Sequence, residues 1–478
     1  MNKKNQSGDA FLLFKNEAAN YESNLLKQKN RWGVSLPLGL NIWHLFFYFF
    51  TLIICFLFFN QGDLNHTVRS SYAFLNGHII DFYDYNKTIV YENNYLPVIY
   101  IIFAIWNLPV YYLGLTSNLS NGPMFLNTVE LVWSKLLIAL FFAGTIFLLN
   151  KCTELLSENK PNKKPFLYSA LFATSPIAIF AVFIFSQYDI IGCFFTISAL
   201  YFYLKKNLTA FAWLFSIAIS FKFFALVIYL PLLFFAEKRF YSLLKFFIIG
   251  TLFTFLQFLV YWHSQAFQIG ILAIPYNKTG GLNFFNHALS NLNTYYLLAY
   301  LFLCGYAYKS KYKDEDDFSK HAIFIPIVAY GLMFESIIWH PQWLIIIMPF
   351  FSLSYKFINN KRLFYIIETI GMLSFTWISV NLFINNVDAS MLYNGVLSSL
   401  FKPFSLHISD LMSPNFLLIF NFLFRLYLFS PILIYRLQKP VTFSIQDDNE
   451  KLFFYYIRFI LGISFFVLPS FYCALAAI

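Results

Sequence analysis

Residues 96–115 read LPVIYIIFAIWNLPVYYLGL, and the placement of this run decides the topology of the whole chain. The run is apolar and long enough to cross a bilayer, which takes about 20 residues. Pro97 and Pro109 interrupt it, and a proline inside a helix removes a hydrogen bond and kinks the rod. If the run crosses, the polar loop 151–164 falls outside. That loop carries Lys151, Lys160, Lys163 and Lys164, and basic loops stay on the cytoplasmic side. Residues 96–115 therefore read as interfacial or re-entrant helices within one large first outer loop, 61–127.

Working outward, an apolar run at 40–60 precedes this loop. Others follow near 128–150, 165–184, 188–204, 241–262, 292–308, 321–338, 341–355, 363–384, 414–435 and 453–475. The stretch 209–236 holds two short helices meeting at Phe221-Lys222. Threaded this way the chain makes 13 spans, with the N-terminus cytoplasmic, and 26 of its 33 Lys and Arg lie inside. The expected class is all-α: a polytopic membrane helix bundle of about 11–13 transmembrane helices, with interfacial helices in the first outer loop.

Composition agrees. Of 478 residues, 59% are hydrophobic, 22% aromatic and 12% charged, against about 25% charged in a soluble domain. A soluble enzyme and a disordered chain are both excluded. Strict alternation is absent, so the spans are not barrel strands. The net charge of +10 sits between apolar runs, where it orients the chain in a bilayer and does not indicate nucleic acid. Cys55, Cys152, Cys193, Cys304 and Cys473 are scattered and form neither a disulfide frame nor a metal-ligand spacing. Met1–Arg31 lacks a signal-peptide core, so the first span is expected to serve as the insertion signal.

Charge inside a bilayer costs about 2.5–3.5 kcal/mol per residue, so polar residues near membrane depth carry the information. In this topology many share the outer side. The first outer loop holds Asp63-Leu64-Asn65-His66, Arg69, Asn76-Gly77-His78 and Asp81-Phe82-Tyr83-Asp84. Each residue alone can simply solvate a loop; the group is harder to dismiss. Ser186-Gln187-Tyr188-Asp189 forms another outer turn, where Asp189 can also be a plain helix-N-terminal carboxylate. Lys222 lies deep in apolar sequence, as a snorkelling lysine or as a partner for a phosphate. Trp339-His340-Pro341-Gln342-Trp343 is a further outer turn whose indoles suit the interface belt. His340 and Gln342 then face the same outer space, with Glu335 a candidate neighbour. Arg425, Glu368 and Lys135 read as structural or snorkelling. No Walker A lysine, zinc-spaced His/Cys set or Gly-x-Ser-x-Gly elbow occurs.

In this order and on this side, the motifs resemble the polyprenyl-phosphate-sugar-dependent membrane glycosyltransferases of the C superfamily (GT-C), as in GPI-pathway-type mannosyltransferases and their bacterial relatives. Asp63-Leu64-Asn65-His66 before Leu75-Asn76-Gly77 is similar to the family's acidic motif and following glycine, without its clear Asp-x-Asp. Ser186-Gln187-Tyr188-Asp189 resembles its Gly-Gln-x-Asp turn. The run from Ala210 through Phe221-Lys222 to Leu230-Pro231 resembles its Phe-Lys and Leu-Pro stretch. Trp339–Trp343 is similar to its later outer His turn.

The resemblance implies a cytoplasmic segment at 1–39, a catalytic transmembrane module at 40–355 and C-terminal transmembrane helices at 356–478. It implies an inverting hexosyltransferase of the cell membrane. The hexose, mannose or glucose, would pass from a polyprenyl-phosphate donor to a glycan, lipid-linked or wall-polymer acceptor on the extracytoplasmic side. Asp63 would be the general base, with Asp81 and Asp84 as the other acidic candidates. Lys222 would balance the departing phosphate, and Gln187, Asp189, His340 and Gln342 would hold donor or acceptor hydroxyls. Asp81-x-x-Asp84 leaves a divalent metal open without requiring one. The alternative function is a transporter or flippase of lipid-linked saccharides, which would place polar residues at several depths and at broken helices. No internal repeat supports it.

Overall fold

The computed structural model describes residues 42–117, 124–157, 166–272, 294–337, 339–383, 387–401, 406–412, 414–437 and 448–475. Among these residues every regular element is helical. The chain divides into two compact units, 1–51 and 52–478. The described part of the first unit is an apolar helical stretch that leaves Trp43, Phe46, Phe47, Phe49 and Phe50 exposed.

The second unit is built from the apolar runs. Five helices are long and apolar enough to cross a membrane: Thr128–Leu156, Phe240–Tyr261, Lys361–Leu382, Pro414–Leu437 and Arg458–Leu475. Shorter apolar helices accompany them at Pro97–Tyr112, Asp189–Leu204, Leu208–Phe221, Phe224–Ala236 and Pro341–Ser354. Helix Phe240–Tyr261 keeps only Gly250 and Tyr261 buried. A water-soluble fold would not leave such a surface exposed. The protein is an all-α polytopic membrane helix bundle.

Two stretches read as single spans are broken. In 165–184 the chain bends by 49° between helices Leu167–Ala173 and Pro176–Ile184. Pro176 cannot continue the preceding ladder, and Phe180–Ile184 widens into a π-helix. In 341–355 the segment Pro341–Ile346 is a 3₁₀-helix, followed by a short α-helix at Met348–Ser354 that opens on Pro349. By contrast, 209–236 forms the two expected helices, broken at Lys222, whose backbone is extended.

Residues 97–112 form one helix with Pro109 in its last turn. It packs on helices Gly62–Leu75 and Thr128–Ser157. Trp106 and Trp133 stack at 4.8 Å, and each indole N–H donates to the other's backbone carbonyl at 2.8 Å. Helix Gly62–Leu75 carries Asp63, Asn65, His66 and Arg69 and is too polar to be a span by itself.

The region after 360 was expected to add spans alone. It also contains a compact non-spanning segment with 3₁₀ turns at Ala389–Asn394 and Ser398–Leu400 and a helical turn at Ile408–Leu411. Asp388 organises it: Oδ1 accepts from Ala389 N at 2.7 Å and Ile408 N at 2.8 Å, and Oδ2 pairs with His407 Nδ1. The segment docks on the end of helix Ile42–Phe58. Asn60 N donates to Met391 O at 3.1 Å, and Leu397 N donates to Leu57 O at 3.1 Å. Lys135 Nζ donates to Phe59 O at 2.5 Å and to Phe56 O, placing a cation at the negative end of that helix. The turn leading to Asp63 is thus held by two separate elements.

Gly395 lies under this docking. A Cβ there would sit 2.1 Å from the carbonyl oxygen of Phe58, a backbone atom with no rotamer to yield. Gly395→Ala should cost about 1–3 kcal/mol, seen as a lower Tm of the solubilised protein. An unchanged Tm would mean that the segment does not sit this close.

Candidate functional site

Three helix breaks converge on the start of helix Gly62–Leu75. The first is the turn 186–189. Ser186 has φ 63°, the left-handed region that costs a non-glycine residue strain. Ser186 and Gln187 are buried, and Ser186 Oγ, Gln187 Oε1 and Gln187 Nε2 have no hydrogen-bond partner among the described residues. Buried polar groups are normally satisfied. Three that are not lie here on one strained turn. Asp189 follows in the first turn of helix Asp189–Leu204, where the macrodipole favours its carboxylate.

The second break is Lys222. Its Nζ donates to Asp189 Oδ2 at 2.5 Å, with the two side chains 15% and 4% exposed. The ammonium also lies 4.6 Å from the Trp343 ring, 5.0 Å from Phe224 and 5.5 Å from Tyr95. The anion that a buried lysine needs is therefore supplied by the chain itself.

The third break is Pro341–Ile346. His340 caps it, and Trp343 N donates to His340 O at 2.9 Å. Side chains at i and i+3 of a 3₁₀ turn eclipse, so the imidazole meets the Trp343 indole at 4.8 Å. Burial first, and then the nearby Lys222 charge, lowers the His340 pKa, leaving a neutral ring. Gln342 Oε1 is buried without a partner among the described residues.

Asp63 closes the group. It is half-buried, and its backbone N–H donates to Gln61 Oε1 at 2.6 Å. Burial raises its pKa to about 6; Lys222 opposes that rise and Asp189 adds to it. Lys222 is thus bonded to Asp189 and also close enough to act on the Asp63 carboxyl, whose pKa burial raises. Tyr188 and Tyr95, in edge contact at 5.3 Å, form an aromatic wall beside them, with Phe103 behind Tyr188.

No described protein family and no curated protein matches this sequence. The chain is similar to a solved structure. This is the crystal structure of ArnT from Cupriavidus metallidurans in the apo state, 10% identical, with a TM-score of 0.42, covering 90% of this chain and 77% of that one.

The structure brings Asp63, Asp189, Lys222 and His340 into one electrostatic cluster, with Gln187 on the turn that carries Asp189 and Gln342 beside Trp343. It does not bring Asp81 and Asp84 there. Asp81 is exposed and paired with His78 Nδ1 at 2.8 Å. Asp84, also exposed, accepts from Ala266 N at 3.2 Å. Glu335 is not the partner of His340; it pairs with Arg425 at 2.8 Å. Among the described residues no group of three His, Cys, Asp or Glu side chains could hold a metal ion. Sequence reasoning assigned Trp343 to the interface belt and passed over Tyr95. The spacing His340-x-x-Trp343, with Pro341 inside it, was the available signal for Trp343; nothing local marked Tyr95.

Proposed function

We propose that the cluster is the active site of an inverting membrane glycosyltransferase that takes a hexose from a polyprenyl-phosphate donor. The observation that supports this most is a half-buried carboxyl, Asp63, poised near neutrality beside a lysine that is paired yet still has donors to give. An ammonium has three N–H groups; Asp189 takes one, and the others are available to a phosphate oxygen. In the proposed reaction an acceptor hydroxyl oxygen forms the new bond to the anomeric carbon as the carbon–oxygen bond to the phosphate breaks. Asp63 takes the hydroxyl proton. Lys222 balances the charge that grows on the leaving phosphate. Gln187, Gln342 and neutral His340 hydrogen-bond sugar hydroxyls, and Asp189 keeps Lys222 aimed. The site opens to the extracytoplasmic side in this reading, with the N-terminus cytoplasmic. The acceptor is a glycan, a lipid-linked saccharide or a wall polymer.

The test uses purified protein in lipid with radiolabelled polyprenyl-phosphate hexoses, mannose and glucose first, and lipid-linked acceptors. Wild-type protein should transfer label. Asp63→Asn should lose about 10²–10⁴-fold in rate with donor binding retained, while Asp81→Asn and Asp84→Asn keep the wild-type rate. Loss of transfer in Asp81→Asn or Asp84→Asn with Asp63→Asn active would move the base elsewhere. Movement of the lipid-linked sugar across the bilayer without transfer would make this a flippase.

The pH profile carries an independent prediction. A base must be ionised to accept a proton. With Asp63 raised to about 6, kcat/KM should rise with pH through about 6 and level above it. A limb near 4, the ordinary carboxyl range, would count against Asp63.

A further inference from the structure

The end of the bundle away from Asp63 holds a second, basic cavity that the proposed transfer does not use. Helix Asp189–Leu204 leaves the site and ends at Lys205; Leu208–Phe221 returns from Asn207 to the Lys222 break. Phe224–Ala236 leaves again and ends at Glu237, and Phe240–Tyr261 starts at Arg239. Two three-residue turns, 205–207 and 237–239, therefore lie side by side, about 20 Å of helix from Lys222. Between them is an open groove of about 580 Å³, whose lining includes Lys205, Lys206, Arg239, Ser242 and Lys245.

The charges in the groove do not cancel. Lys206 is taken by Glu315. Glu237 is taken by Arg239 at 2.9 Å and by the backbone N–H groups of Lys238 and Arg239. Lys205 and Lys245 touch only aromatic rings, Tyr201 at 4.6 Å and Phe246 at 5.7 Å, with no carboxylate partner among the described residues. Two helix N-termini, at Leu208 and Phe240, add positive dipole ends beside the groove. Arg239 provides no side-chain cap for the second, and the Ser242 hydroxyl adds a donor.

The groove continues onto an apolar wall. Phe240 and Tyr241 are 71% and 85% exposed, and Leu244, Phe247 and Ile248 follow them outward along the same helix. A phosphate held by Lys205 and Lys245 would thus have an apolar surface for an attached chain. We propose that this groove is a binding site for the phosphate headgroup of an anionic phospholipid, its acyl chains lying along helix Phe240–Tyr261. A free phosphate shares the headgroup chemistry and lacks the chains.

Native mass spectrometry of the full chain, released from nanodiscs and titrated with phosphatidylglycerol, phosphatidylcholine or inorganic phosphate, separates these sources. Phosphatidylglycerol should stay bound in preference to phosphatidylcholine and resist millimolar inorganic phosphate. Lys205→Gln with Lys245→Gln should weaken its retention roughly tenfold or more, while Lys205→Arg with Lys245→Arg keeps it. Equal retention of both lipids, or retention unchanged in the glutamine pair, overturns the proposal. Displacement by inorganic phosphate overturns the lipid as occupant. If the glutamine pair fails to fold, Ser242→Trp, which fills the groove without removing a charge, should displace phosphatidylglycerol; failure to do so also overturns it.

Discussion

Lys222→Ala is expected to slow sugar transfer sharply and to destabilise the protein, and the two losses have different origins. The ammonium is 15% exposed and its partner Asp189 is 4% exposed. Removing one member of a buried pair leaves the other as an uncompensated charge, at a cost of about 3–5 kcal/mol. The rate loss comes from the missing positive charge opposite the leaving phosphate, about 10²–10³-fold by analogy with other transition-state donors. A variant that removes both charges, Lys222→Met with Asp189→Leu, should recover most of the stability, because an apolar pair of similar volume replaces a buried ion pair at little cost. It should recover none of the transfer. Tm and transfer rate of both variants check this. Transfer near the wild-type rate in the double variant would reduce Lys222 to a structural residue.

The second large effect lies far from that cluster in sequence and in chemistry. Arg458 is 1% exposed, and its guanidinium meets Glu368 at 2.5 Å and 3.1 Å. It also donates to Leu171 O at 3.0 Å and Thr174 Oγ1 at 3.2 Å. One side chain thus joins the last helix, helix Lys361–Leu382 and the broken helix at 167–184. Arg458→Leu should cost about 3–5 kcal/mol, seen as a marked fall in thermal midpoint and in yield of folded protein. Below the new midpoint its KM for the donor should match the wild type, since no group of the cluster is touched. A midpoint within a degree or two of wild type would show that water or lipid satisfies Glu368 just as well.

How much of this was legible follows from what kind of information each feature needs. Lys222 and His340 are polar exceptions in apolar sequence, and one side of a membrane collects such exceptions; Asp63 stood out only within the polar group of the first outer loop and through the resemblance. The Lys222–Asp189 pair was not legible. Its members are 33 residues apart, on different helices, and only the packing of Asp189–Leu204 against Leu208–Phe221 makes them neighbours. Lys222 was accordingly read as a snorkelling lysine or as a partner for an outside phosphate. The broken helices at 167–184 and 341–354 were missed for the opposite reason. Pro176, Pro341 and Pro349 were visible, but a length-and-hydropathy test counts a broken rod as one span. Asp81 and Asp84 share the acidic composition of the first outer loop with Asp63. Composition alone could not say that helix Phe82–Ile89 leaves them exposed.

The bond from Asn60 N to Met391 O also has a meaning in time. The residues it joins are separated by more than 300 positions. A ribosome adding roughly 5–20 residues per second makes the second roughly 15–65 s after the first. Through that interval the chain just before Asp63 lacks the partner that fixes it, and so does the carbonyl of Leu57. The stretch at 57–60 is made early and finished late.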